Sequence, residues 1–321
     1  MKIKIYKGTH QVGGCVTEIS TDKTRIIIDM GADLPSEYST SQPFEIDGIT
    51  TGKADCDGVL LTHYHGDHLG LIQNVLPDIP VYIGHTAKKI FLKLCERVNK
   101  EVVNTVEKFN TFQPLDKLLF HDITVTPFLI DHSALDAYMF LIEADGKRIL
   151  HTGDFRTHGF RGNKLFKMLN AYVGQVDVLI CEGTMLSRNS EKVISEMELQ
   201  REAHQIMKNK KYVFILCSST NIDRIGAFYH ANPHGRLFVC DNYQKDILST
   251  VTTECGGYSS FYNFQYVYSY ARNLDHIIDE KGFCMLIRAN NFFRPFLEKY
   301  RDNSVIIYSM WNGYLDDRSK N

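Results

Sequence analysis

No run of about 18 apolar residues occurs anywhere in the 321-residue chain, so nothing in it reads as a membrane-spanning helix. The N-terminus also lacks the apolar core of a secretory signal; Met1-Lys-Ile-Lys-Ile-Tyr6 alternates like a strand instead. The eight cysteines contain no C-x-x-C pair and are scattered from Cys15 to Cys284, which argues for reduced thiols over a disulfide framework. Charge of one sign is scarce: the net charge is −2, so a nucleic-acid site would need a local basic patch. No internal repeat, linker or low-complexity stretch is evident. These absences make a cytoplasmic, non-membrane protein the expectation. With 44% apolar and 23% charged residues the balance is that of a globular protein. The length suits about two domains with a sizeable core.

The densest feature is Leu61-Thr-His-Tyr-His-Gly-Asp-His-Leu69. An apolar strand-like run, Gly58-Val-Leu-Leu-Thr62, leads in, and a helix-like stretch, His68–Leu76, leads out. Functional groups at a strand end and a helix start usually build a site. His63 and His65, two apart in an extended segment, face the same side. A catalytic zinc takes imidazole nitrogens and carboxylate oxygens and leaves one position for water. Asp67 and His68 lie where the chain turns and are placed for a second ion. Without a metal, a loop this rich in ligand types would suffer charge repulsion.

Two further strand ends carry matching chemistry. Ile123–Phe128 delivers Asp131-His-Ser133, and a hairpin with an Asp145-Gly146 turn delivers Thr152-Gly-Asp-Phe155. His132 and Asp154 are the natural completions, with Asp154 able to bridge two ions. His132 alone reads more readily as an internally bonded structural histidine, and His151 and His158 are rivals. Asp29, ending the strand Arg25–Asp29, is either a ligand-orienting carboxylate or a strand-end cap. Residues 33–54 read as a long loop.

After residue 176 the texture changes to strand–helix alternation: a strand at 176–181, a long helix over 191–209, and strands at 212–217, 236–240, 283–288 and 304–308. Such alternation implies parallel βαβ units. Ser218-Ser-Thr-Asn221 before a helix suits either a phosphate or a plain cap. The aromatic run Tyr258–Tyr270 suits base stacking or core packing.

Thr62-His-Tyr-His-Gly-Asp-His68, with Asp29 before it and Asp131-His-Ser-Ala-Leu-Asp136 and Thr152-Gly-Asp-Phe-Arg156 after it, resembles the metallo-β-lactamase superfamily. Asp177-Val-Leu-Ile-Cys-Glu-Gly-Thr184 and Ser304–Tyr314 resemble its β-CASP branch, which holds nucleases of the ribonuclease J and cleavage-and-polyadenylation types. The resemblance implies an α/β fold: an αββα sandwich over residues 1–182, an inserted β-CASP-like α/β domain over 183–303, and a return strand at 304–321 towards the metal domain. It implies two zinc ions per chain, with manganese as an alternative. His63, His65 and His132 would hold one, Asp67 and His68 the other, with Asp154 between them. Asp67 would orient the activated hydroxide. Glu182 would serve the leaving oxygen or fix a histidine, unless it is only a loop carboxylate.

Two departures stand out. Asp223 occupies a place where the branch usually has a histidine, with Ser219 and Arg224 beside it as substrate candidates. No Ser-Gly-His-like motif follows Trp311-Asn-Gly-Tyr314. The expectation is therefore a fragment lacking the last part of the sandwich, with an incomplete second metal site. The expected activity is hydrolysis of RNA phosphodiesters, with RNA as partner and a homo-oligomer possible. The alternatives are a DNA nuclease, a thioester or lactone hydrolase, and a non-catalytic nucleic-acid-binding subunit.

Overall fold

A computed structural model of the protein describes residues 1–34, 44–186, 193–311 and 315. The chain divides into two compact units, Met1–Val193 and Ile194–Asn321.

The first unit is built on two facing sheets. One runs β1 (Lys2–Lys7), β2 (Val16–Ser20), β3 (Arg25–Ile28), β4 (Gly58–Leu60), β5 (Val81–Gly84) and β6 (Asn110–Phe112) in spatial order. Its first three strands are antiparallel, and β3 to β6 are parallel. The other runs β7 (Leu118–Phe120), β8 (Ile123–Ile130), β9 (Ala137–Ala144), β10 (Lys147–His151) and β11 (Val178–Ile180). It is antiparallel except for the β10–β11 pair.

Strand β9 shows why the sheets stack. Side chains alternate across a strand, and in β9 both faces are apolar. Tyr138, Phe140 and Ile142 meet Ile26, Ile28, Leu60 and Phe112 of the first sheet. Ala137, Met139 and Leu141 meet Leu165 and Val173 on the sheet's outer side. Each such large apolar side chain contributes roughly 1.5–3 kcal/mol on burial. Helix His85–Val98 packs against β5 and β6 with Ala87 and Ile90 buried. This is the αββα sandwich, as the sequence led us to expect.

That helix has no cap from its own preceding residue. Its free N–H groups are served from elsewhere: the Ala87 N–H donates to Asp136 Oδ2 at 2.9 Å, and the Tyr138 hydroxyl donates to Asp136 Oδ1 at 2.5 Å. Asp136 sits at φ 66°, a left-handed conformation that aspartate tolerates better than most residues. Asp136→Ala should therefore lower stability by about 2 kcal/mol, from the lost cap and the orphaned N–H. Urea unfolding monitored by circular dichroism measures it, and an unchanged midpoint would contradict the assignment.

The second unit is one sheet, parallel throughout, in the order β14 (Val267–Ser269), β13 (Leu237–Cys240), β15 (Phe283–Ile287), β12 (Tyr212–Cys217) and β16 (Ser304–Ser309). Its core gathers Phe214, Val239, Phe283, Met285 and Phe293.

Three details differ from the sequence expectation. Residues 304–309, expected as a return strand, form the edge strand β16 of the second unit's sheet, paired with β12 from Tyr212↔Ser304 to Cys217↔Ser309. Apolar Val305, Ile306 and Ile307 suit any parallel ladder, so the run alone could not name its partner. The His68–Leu76 stretch is not a continuous helix. It is the single turn Gly66–Leu69 followed by a short 3-10 turn at Ile72–Asn74. The backbone there is claimed by another loop, since the Met30 N–H donates to His68 O and the Leu71 N–H to Met30 O. The helix expected from 191 begins at Glu196, where Ser195 and Glu198 form a reciprocal capping box. Residues 35–43 of the expected loop, residues 191 and 192 of that helix, and Asn312-Gly-Tyr314 lie outside the described residues.

Candidate metal centre

Five strands of the first unit end close together and carry the polar groups. Asp29 follows β3, Thr62 and His63 follow β4, His132 follows β8, Asp154 follows β10 and Glu182 follows β11. Strands β4 and β9 are tied across the sheets, because the Tyr138 N–H donates to Thr62 O at 3.0 Å. Within the His-Tyr-His segment, alternation sends His63 and His65 one way and Tyr64 the other. Tyr64 is buried, and its oxygen accepts the Leu135 N–H at 2.9 Å, which ties this loop to the one bearing His132.

Asp29 anchors the centre. It is fully buried at φ 62°. Its Oδ1 accepts the Thr62 N–H at 2.7 Å, while Oδ2 accepts the Thr62 hydroxyl at 2.8 Å and lies 2.7 Å from His68 Nδ1. The Thr62 Oγ lies 3.0 Å from His63 Nδ1. With both Nδ1 atoms engaged, His63 and His68 are left presenting Nε2. Those two Nε2 atoms are buried and make no hydrogen bond. A buried polar atom without a partner is costly, and the inward-facing lone pair of His63 Nε2 suits a cation; His68 Nε2, 3.3 Å from Asp154 Oδ1, must give up its hydrogen before it can ligate.

The rest converges on the same point. His132 Nε2 lies 3.2 Å from His65 Nδ1. Asp154 Oδ1 lies 3.3 Å and Asp67 Oδ2 3.9 Å from His68 Nε2. Two overlapping sets could hold a metal ion, His63–His65–His132 and His63–His68–Asp154, with ligand atoms in each set within 4.8 Å of one another. Neither set includes His151 or His158. Asp67 stands beside the second set.

The electrostatics divide the imidazoles into two kinds. Burial, reinforced by the neighbouring imidazoles, pushes His63 well below the ordinary histidine range and His132 down to about 3. Burial lowers His65 as well. These three are neutral, with lone pairs available, which a metal requires. For His68 burial is outweighed by Asp29 and Asp154, which hold it well above the ordinary value. Burial of Asp154 is likewise outweighed by its contact with His68, which keeps it ionised.

Around this point, His151 is buried and its Nδ1 accepts the Gly153 N–H at 3.2 Å, so it shapes the turn that presents Asp154. Asp131 is a clamp, not a ligand: it accepts from Arg156 Nε at 2.6 Å and the Arg161 N–H at 2.7 Å, and so fixes the loop next to His132. Glu182 and Asp154 line one cavity of about 600 Å³, with His10, Gln11 and Cys15 on another wall. Glu182 Oε2 accepts the Thr184 N–H at 3.1 Å. Burial pushes the Cys15 thiol up to about 11, so it is uncharged. Thr62 and Cys15 were not singled out as site residues from sequence. The signal at Thr62 was its position just before the first histidine.

The substrate candidates of the second unit are placed differently. Asp223 is buried and accepts the Tyr262 hydroxyl at 2.7 Å. Arg224 grips Glu196 through Nε and Nη2, each at 2.8 Å, and donates to Ser309 Oγ from Nη1 at 2.5 Å. Asn221 caps the helix Ile222–Ala231, and the Ser219 carbonyl accepts from Gln244 Nε2. The 218–221 segment thus behaves as a cap, and Asp223 and Arg224 are committed to partners in their own unit. In the aromatic run, Tyr262 and Phe264 are buried in the unit's interior.

A family model described as a beta-lactamase superfamily domain matches residues 24–215. The chain belongs to that superfamily, in its metallo-β-lactamase form. Among curated proteins it is similar to ribonuclease J of Mycoplasma pneumoniae, 26% identical over 257 residues that span 74% of this chain and 43% of that one. It is also similar to a probable RNase, MJ4, of Methanocaldococcus jannaschii, 28% identical over 198 residues, 56% of this chain and 45% of that one. The chain thus spans less than half the length of these relatives. A crystal structure of a protein of unknown function from Enterococcus faecalis V583 shares the fold, with a TM-score of 0.73 at 18% identity over 96% of this chain and 87% of that one. No helix among the described residues of this superfamily member is long and apolar enough to cross a membrane.

Proposed function

We propose that this superfamily member is a metal-dependent ribonuclease that hydrolyses RNA phosphodiesters. The observation that carries the reading is the pair of overlapping ligand sets that converge on the buried Nε2 atoms of His63 and His68. RNA as substrate is drawn from the ribonuclease relatives.

The donor set fits two divalent ions. His63, His65 and His132 would hold the first, a three-nitrogen set of the kind that suits catalytic zinc. His68, Asp154 and Asp67 would hold the second. When bound, the ions supply charge against the anion that develops at phosphorus and acidity for the attacking water. The protein's own groups do the rest. Asp29 and Thr62 hold the imidazole rings in register. Asp67 orients the attacking water by accepting its hydrogen bond. Glu182, fixed by the Thr184 N–H, lies in the cavity beside Asp154, and its assigned part is to take up the proton released by the attacking water and pass it to the leaving oxygen. No disulfide joins any of the eight cysteines, as suits the reducing cytoplasm we assign to the protein.

The cavity of about 600 Å³ falls in the range of small-ligand sites, and this favours one second reading, hydrolysis of a compact thioester or lactone. One experiment separates the readings. The purified chain is loaded with zinc or manganese, its metal content is measured, and it is offered end-labelled single-stranded RNA, single-stranded DNA, a thioester and a lactone. The expected result is close to two ions per chain and RNA cleavage that stops on chelation. Cleavage of only the small esters would favour the second reading. A chain that takes up no metal would refute both and favour a non-catalytic binding role.

A further inference from the structure

We propose that the Thr62 hydroxyl is a positioning group that sets the tautomer of His63 and so commits Nε2 of that ring to the metal. The inference rests on reading the cluster as a metal centre, and it follows from counting protons around one oxygen. The Thr62 Oγ carries a single hydrogen and has three polar neighbours, Asp29 Oδ2 at 2.8 Å, His63 Nδ1 at 3.0 Å and, further off at 3.4 Å, His68 Nδ1, which lies closer to Asp29 Oδ2 at 2.7 Å. An ionised carboxylate only accepts. The hydroxyl proton must therefore point at Asp29, since otherwise two oxygens would face each other at 2.8 Å with no hydrogen between them. The Thr62 oxygen is then free only to accept, and the hydrogen it accepts is on His63 Nδ1. A neutral imidazole carries one N–H, so His63 Nε2 is bare.

Thr62 cannot easily leave this arrangement. Its own N–H is bound by Asp29 Oδ1 at 2.7 Å and its carbonyl accepts the Tyr138 N–H at 3.0 Å. Its side chain packs on Gly153, where a Cβ would come within 3.0 Å of the Thr62 Cβ and Cγ2. Gly153 precedes Asp154, so the same side chain also sets how closely that carboxylate's loop approaches. His68 belongs to the same hydrogen-bonded group: its Nδ1 lies 2.7 Å from Asp29 Oδ2, the oxygen that already takes the Thr62 hydrogen. One buried hydroxyl and one carboxylate thereby orient an imidazole from each ligand set. His63 is fully buried, so water cannot replace the hydroxyl if it is removed.

Two variants separate the hydroxyl from the side chain's shape. Thr62→Val keeps the volume and loses the oxygen; Thr62→Ser keeps the oxygen and loses the methyl. Zinc affinity of the full chain is read by competition with a chromophoric chelator, beside nitrogen-15 spectra of the histidine rings of the metal-free wild type. The expected result is Thr62→Ser within about threefold of wild type, Thr62→Val weaker by about 10- to 100-fold, and His63 protonated on Nδ1. Equal affinity of Thr62→Val and wild type, an equal loss in both variants, or a His63 proton on Nε2 would each overturn the proposal. Should Thr62→Val fail to fold, the serine variant and the wild-type ring spectrum still decide. A wild type that takes up no zinc removes the metal-centre reading itself, while the ring spectrum tests the tautomer independently.

Discussion

His65→Ala is expected to reduce cleavage of single-stranded RNA by about a thousandfold or more while leaving the fold intact. His65 belongs to the first ligand set only, with its Nδ1 3.2 Å from His132 Nε2. Removing it leaves two nitrogens where a catalytic zinc needs three protein ligands. A metal contributes several kcal/mol to the charge developing at phosphorus, and each 1.36 kcal/mol is tenfold in rate. The side chain is only half-buried and supports no core cluster, so folding should not suffer. Initial rates on labelled RNA, together with metal content and circular dichroism, check this. A variant as active as the wild type would sink the proposed mechanism, and an unfolded variant would show that His65 serves the fold.

The second large effect is expected at a residue with no functional group. Gly31 lies against the loop that carries Asp67: a Cβ there would come within 1.8 Å of the Asp67 carbonyl oxygen and 2.6 Å of the Cys15 nitrogen. Both neighbours are backbone, joined by the Cys15 N–H to Asp67 O bond at 3.0 Å, and Gly31 itself donates to Cys15 O. Nothing at this point can rotate aside. Gly31→Ala should therefore cost about 3 kcal/mol or more, at the upper end of what overpacking usually does. The melting temperature should fall by about 6 °C or more. Because the displaced group is Asp67, the metal bound beside His68 should be lost before the one bound by His65 and His132. Calorimetry and metal analysis read the two effects separately, and a melting point within 1 °C of wild type would refute the argument.

The relation between these residues and the sequence is uneven. His63, His65, His68, His132 and Asp154 were legible because each stands at the end of an apolar run, and ligand types crowd such positions for few other reasons. Asp223 and Arg224 were named through the family resemblance instead, and they are tied to Tyr262 and Glu196. A polar residue at a helix start looks alike whether its partner is a substrate or a side chain 28 residues away. The run at 304–308 was legible as a strand but not as a neighbour of β12, because a parallel ladder forms through backbone groups that every sequence has.

What the sequence alone determined was therefore chemical type and local period: the continuous apolar run of β9, the strand ends and the density of histidine and aspartate between 63 and 68. The tertiary structure decided the pairings. It set Asp136 across from a helix that has no cap of its own, and it brought Asp29, Thr62 and His68 into one hydrogen-bonded group. It also left room at Gly31 for a carbonyl 36 positions away in the chain. Each depends on distances of about 3 Å between groups far apart in sequence, and residue order carries no record of those distances until the two sheets are packed.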